Sequence, residues 1–244
     1  MAKKGFELEE DIIMKINNNK VKDMKGVGGA LCKYVFPDIN DNDVIKCNKC
    51  GPISKADICL VSPMGERQFI SIKSGKAHSI HSENIRTFIL FLRGLGVSNA
   101  TQKTILLYQY CDGSLTGKSG KKPSTSFLKT ISQDIDKANE ELNKEETMTK
   151  ILTRLIFDGY TSKDEKATFL YFGNENVGLI MNKEKALERA KRNYVRSIQP
   201  TLHVGQITLY PKSRNKYKNA YEKDSITANW SYLNEDMFEY GDFI

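Results

Sequence analysis

Two short apolar runs, residues 56–61 and 69–72, flank Pro63-Met64-Gly65 in the stretch KADICLVSPMGERQFISIKSGK. β-branched and apolar residues on both sides of a Pro/Gly turn predict a β-hairpin. Upstream, Leu8, Ile12, Ile13 and Ile16 recur at helical spacing, and the acidic residues among them suit the first turns of a helix. Asn17-Asn18-Asn19 ends that helix. The glycines around residues 26–30 read as flexible, with a short helix or irregular stretch over 31–36. A loop over 37–43 then leads through Val44 and Ile45 to a turn carrying Cys47 and Cys50.

Beyond the hairpin, Ser82 is a reasonable N-cap for an apolar helix over 83–93, which Gly94 and Gly96 stop. A second helix is expected from about 99 to 110. A stripe from Ile131 to Leu155 predicts one or two helices over 130–157. Residues 167–172 and 177–181 read as two strands joined by Gly173-Asn174-Glu175-Asn176, a second hairpin signal. A charged helix over 183–192 and strands over 202–210 and 225–233 follow. The acidic tail is expected to dock through Met237 and Phe238. No internal repeat and no linker demands two domains, so one domain over 1–244 is expected.

Charge alters the picture modestly. The 244 residues include 37 Lys+Arg and 30 Asp+Glu, a formal charge of +7, which favours a polyanionic partner without requiring one. No apolar run is long enough to cross a bilayer, and MAKKGFELEEDII turns acidic too early for a secretory signal. A soluble cytoplasmic protein is the expectation. Five cysteines, an odd number, argue against a disulfide framework. Cys47 and Cys50 form half a zinc knuckle, but a second CxxC or a His pair is missing. Cys32 and Cys59 could complete four thiolates in space, or simply be small buried apolar groups.

The candidate chemistry lies in the first hairpin. Asp57 stands at the start of its first strand. Ser71 and Lys73, two apart on the second, leave the same face of the sheet. One carboxylate and one lysine meeting across a hairpin suit metal-assisted attack on a phosphodiester. The plainer reading is a solvated aspartate and an ordinary lysine at a strand end. Glu9 lies beside the apolar stripe of its helix, aimed at a buried edge or simply solvated. Lys76 and His78, with His81, make a basic approach just past Lys73 that suits phosphate contact or plain surface better than a metal pair. Gly117-Lys118-Ser119 resembles the end of a phosphate-binding loop, but Asp112 stands where that loop needs a glycine. A flexible basic loop with Lys118 and Lys121 embracing a polyanion fits better. Lys212, Arg214, Lys216 and Lys218 surround Tyr217, a pattern suited to nucleic acid or to a solvated loop.

Taken together, helix with Glu9, then Asp57, then Ser71-Ile72-Lys73, the chain resembles the PD-(D/E)XK nuclease superfamily. More narrowly it is similar to type II restriction endonucleases that cut four-base, GC-containing palindromes. The GFxxExxI opening (Gly5, Phe6, Glu9, Ile12), Lys55-x-Asp57-Ile58, Ile207-Thr208, Thr227-Ala228-Asn229 and Glu235-x-x-Phe238 carry that likeness over most of the chain. The resemblance implies an α/β fold, a restriction-endonuclease-like mixed central sheet flanked by helices. It implies a catalytic core over about 1–110 and DNA-recognition elements over about 111–244. It further implies Mg2+-dependent hydrolysis of double-stranded DNA leaving 5′-phosphates.

In that reading Asp57 ligates the metal and Lys73 orients or deprotonates the attacking water. Glu9 adds a carboxylate, directly or through water, and the Ile72 carbonyl adds another ligand. Ser71 stands where the second acid usually is; it holds a water but supplies no charge. Base reading falls to Gln206 and the following basic run, with Arg214 and Asn215 foremost and Trp230 or Asn229 nearby. A homodimer is the default for a palindrome, with a monomer open. A companion DNA methyltransferase would act on the same site without a stable complex. A structure-specific or repair nuclease of the same fold and a catalytically silent DNA-binding protein are the alternatives.

Overall fold

The computed structural model describes residues 5–75, 79–161, 165–192, 199–211 and 223–244. The chain divides into two compact units, each assembled from separate stretches of sequence. One comprises residues 1–77, 156–189 and 232–244; the other comprises 78–155 and 190–231.

The first unit is built on a six-stranded mixed sheet. Its strands are β1 (Lys46–Lys49), β2 (Ile58–Val61), β3 (Arg67–Lys73), β5 (Phe169–Gly173), β6 (Gly178–Asn182) and β10 (Asp242–Phe243), in the order β1-β2-β3-β5-β6-β10. Only β3 and β5 run parallel within it; the other neighbours are antiparallel. Helices α1 (Gly5–Ile16), α2 (Gly28–Val35), α8 (Lys183–Ala190) and α9 (Leu233–Tyr240) complete the unit. A mixed sheet flanked by helices is the architecture the sequence led us to expect.

The expected hairpin forms from β2 and β3, pairing Ile58 with Ile70 and Val61 with Arg67. Its turn places Gly65 at φ 86°, which an L side chain resists. Strand periodicity then sorts the side chains. Ile58, Leu60, Ile70 and Ile72 join Leu8, Ile12 and Ile16 of α1 and Leu31, Cys32 and Val35 of α2 in one core. Each such buried aliphatic side chain contributes roughly 1.5–3 kcal/mol. The alternate positions, Asp57, Ser71 and Lys73, are thereby turned to the other face.

Cys47 and Cys50 do not form a turn. Cys47 lies within β1, buried in the same core, because Asn17 ties the strand to the end of α1. The Asn17 side chain donates to the Cys47 carbonyl at 2.8 Å and accepts from its N–H at 2.7 Å. The last strand, β10, also went unread in the sequence; it closes the sheet against β6. Of the two residues expected to dock the tail, Met237 is buried and Phe238 is exposed.

The second unit carries a four-stranded antiparallel sheet, β4 (Ser79–Asn84), β7 (His203–Val204), β8 (Ile207–Pro211) and β9 (Ser225–Trp230), in the order β4-β9-β8-β7. Its helices are α3 (Ile85–Gly94), α4 (Asn99–Tyr110), α5 (Thr125–Thr130), α6 (Ser132–Leu142) and α7 (Glu145–Thr153). A π-helical turn, Arg154–Asp158, follows α7. Asn84, not Ser82, caps α3, accepting from the Arg86 N–H at 2.9 Å. Ser82 lies in β4 instead. The strand expected over 202–210 is broken by a turn at Gly205, giving β7 and β8.

Candidate active site

Register brings the first-hairpin residues together. Since Ile58 faces Ile70, Asp57 stands opposite Ser71, and the Asp57 N–H donates to the Ile70 carbonyl at 2.9 Å. Asp57 Oδ2 accepts from Ser71 Oγ at 3.2 Å and from the Ile72 N–H. Lys73 Nζ lies 3.7 Å from the same oxygen. That ammonium also donates to Ser71 Oγ and to the Ile72 carbonyl, both at 2.9 Å. Ser71 is buried, while the side chains of Asp57 and Lys73 keep 27% and 17% of their surface and are partly exposed.

Three oxygens of different kinds therefore surround one cation: a carboxylate, a hydroxyl and a backbone carbonyl. Hard oxygens of this sort suit Mg2+, which commonly takes one or two carboxylates and fills its shell with water and phosphate. The donor set fits such an ion with one protein charge. Among the described residues no group of three or more His, Cys, Asp or Glu side chains stands together as a metal site. Asp57 and the Ile72 carbonyl are the residues that would hold it.

Glu9 does not join this cluster. Its carboxylate pairs with Lys49 Nζ at 3.1 Å, at the end of β1. Two further lysines border the site; Lys55 carried part of the sequence resemblance but was given no role, and Lys49 was not singled out. Lys49 precedes Cys50, whose N–H donates to the Asp57 carbonyl at 3.0 Å. Lys55 shares strand parity with Asp57, a signal that period-two counting would have caught. Its ammonium is withdrawn from water. Burial lowers its pKa to about 7; the charge of Lys73 pushes the same way and Asp57 opposes it. The backbone around Lys55 is fixed by Ser54 Oγ and the Ala56 N–H, which both donate to the Glu165 carbonyl. Gly159, at φ 65°, approaches the Lys55 stem so closely that an added Cβ would stand 3.1 Å from it.

The residues expected to bind DNA divide unevenly. Lys76, His78, Lys212, Arg214, Asn215, Lys216 and Lys218 lie outside the described residues. Lys118 and Lys121 are exposed, on a loop built around Asp112. Asp112 accepts from the Ser114 N–H and hydroxyl, each at 2.8 Å, and from the Ser119 N–H at 3.4 Å. Burial opposes its ionisation, but these hydrogen bonds win and hold its pKa below the usual carboxylate range. Asp112, which breaks the phosphate-loop pattern, is thus the loop's anchor.

Gln206 is buried at the β7–β8 turn, where its N–H donates to the Ala190 carbonyl at 2.8 Å. That turn is clamped by α6. Asn139 holds Thr201 and His203, and Asn143 holds His203 and Gly205. Trp230 is fully buried and belongs to the core. Asn229 is half-buried.

His81 is not part of a surface approach. It is buried in β4, its Nε2 3.2 Å from Glu83 Oε1. Arg154 completes the group with two hydrogen bonds to Glu83, at 3.0 and 2.6 Å, and its guanidinium stacks on Phe91. The cysteines make no disulfide, and Cys32, Cys47 and Cys59 are buried. Burial raises the Cys32 thiol to about 12, in keeping with a small buried apolar group. No helix among the described residues is long and apolar enough to cross a membrane.

No family model matches the chain, and no curated protein matches it. Among solved structures, the chain is similar to the restriction endonuclease MspI, crystallised in complex with its cognate DNA. The two share 11% identity at a TM-score of 0.45, over 82% of this chain and 75% of that one.

Proposed function

We propose that this chain is a type II restriction endonuclease, hydrolysing double-stranded DNA at a short sequence with Mg2+ and leaving 5′-phosphates. The observation that carries the reading is the convergence of Asp57, Ser71 and Lys73 on one partly exposed patch, with Lys73 Nζ 3.7 Å from Asp57 Oδ2. This is the pair that the sequence resemblance singles out. The net charge of +7 suits a polyanionic substrate.

Phosphodiester hydrolysis requires an attacking water, relief of charge on phosphorus and a held scissile group. The divalent ion, when bound, would supply Lewis acidity toward the phosphate oxygens. Asp57 and the Ile72 carbonyl would hold it. Lys73 rests against Ser71 Oγ and the Ile72 carbonyl, and from there it orients the attacking water or takes its proton. Ser71 positions both charged groups and brings none of its own.

A palindromic target would be read by a homodimer, with a monomer the other arrangement, and a DNA methyltransferase would protect the same site in a cytoplasmic restriction-modification system. Base and phosphate contacts are assigned to Lys76, His78, Lys118, Lys121, Gln206 and the basic residues of 212–218.

Lys73→Ala and Asp57→Ala should each lower cleavage by at least ~100-fold while DNA binding by gel shift persists; Ser71→Ala should cost only about tenfold. Cleavage by either charged-residue variant at the native rate overturns the assignment. One observation favours a second reading. Ser71 replaces the second acid, and Glu9 is engaged elsewhere, so a DNA-binding protein without catalysis keeps the same surface. DNA binding with no cleavage by the native protein in Mg2+ or Mn2+ would select it.

A further inference from the structure

Glu9, which the resemblance makes a catalytic carboxylate, is paired with Lys49. Lys49 Nζ lies 3.1 Å from Glu9 Oε2 and 3.8 Å from Glu10 Oε1, and 5.7 Å from the centre of the Phe6 ring. Lys49 is the last residue of β1, directly opposite Ile58, and Asn17 pins that strand to the end of α1. It therefore stands one residue from Cys50, the cross-strand neighbour of Asp57. Glu9 and Glu10 raise the ammonium's pKa, the hydrogen bond from Glu9 first, and the charge of Asp57 adds to them.

We propose that Lys49 is a positioning residue that holds Glu9 in reserve, so that Glu9 serves a cation at Asp57 only once its ion pair with Lys49 opens. This rests on the metal-site reading given above. The consequence is electrostatic competition. While the pair is closed, the site offers a divalent ion one carboxylate and faces it with an added positive charge. Removing that charge releases Glu9 and favours the ion on both counts.

The test is Mn2+ binding to the DNA-free protein, followed by loss of the free ion's paramagnetic resonance signal. Lys49→Gln should bind Mn2+ about three- to tenfold more tightly than the native chain, the range expected for one partly screened charge near a divalent ion. Lys49→Arg, which keeps the charge, should match the native affinity. Glu9→Gln combined with Lys49→Gln should lose most of the gain. Unchanged or weaker binding by Lys49→Gln overturns the proposal. Asp57→Asn separates the two layers. If it abolishes Mn2+ binding while Lys49→Gln has no effect, the metal site stands and the role of Lys49 falls. If Asp57→Asn leaves Mn2+ binding intact, the metal-site reading fails and this inference with it. Lys49 is half-exposed on an edge strand, so matching thermal melts will show that the variants fold.

Discussion

At the scale of single residues, the candidate site is a set of charges kept close by backbone geometry. Asp57 has the Ile72 N–H, the Ser71 hydroxyl and the Lys73 ammonium on one oxygen, and each of those donors lies on β3. Lys55 adds a cost. Its pKa falls from 10.5 to about 7 on folding, so between those values the unfolded chain binds more protons than the folded one. Stability from this group therefore rises with pH from about 7 to about 10.5, and the full penalty is felt below 7. Lys55→Met should stabilise the protein most at pH 7 and below, with the gain shrinking toward pH 10. Urea unfolding of both proteins across that range measures it; a gain independent of pH would contradict the burial of the ammonium.

At the scale of elements, the hairpin of β2 and β3 was legible because apolar residues alternate on either side of a Pro/Gly turn. The positions of Asp57, Ser71 and Lys73 followed from that alternation. β4 was not legible. Ser79–Asn84 is mostly polar, and its ladder partner β9 lies about 145 residues further along, so neither local pattern nor propensity marked it. The same gap hid the role of Glu83. Read as the first residue of a helix, it is a buried strand carboxylate satisfied by His81 and Arg154. Burial alone would raise its pKa, but the hydrogen bonds from His81 and Arg154 hold it below the usual range. Arg154→Ala leaves that charge buried with half its partners removed. A loss of about 3–5 kcal/mol is expected in chemical denaturation; a loss under about 1 kcal/mol would show that the group is dispensable. β1 escaped notice for a similar reason. Lys-Cys-Asn-Lys has one apolar position, and the side chain of Asn17 supplies the pairing that fixes it.

At the scale of the molecule, each unit draws on distant parts of the chain. The mixed sheet was foreseen through resemblance, since no local pattern says that β3 will run parallel to β5, about a hundred residues later. The core of the candidate site, by contrast, came from within 17 residues of sequence, 57 to 73, which is why it could be read. The pairing of Glu9 with Lys49 could not be, because Lys49 sits on a strand that sequence pattern did not reveal. Whether this assembly cuts DNA is decided most directly by incubating a sequenced plasmid with the native protein and Mg2+ and mapping every new end, with Lys73→Ala in parallel. The account predicts breaks at one short palindromic sequence, bearing 5′-phosphates, and none from the variant. Intact plasmid with the native protein, or the same breaks from Lys73→Ala, would contradict it.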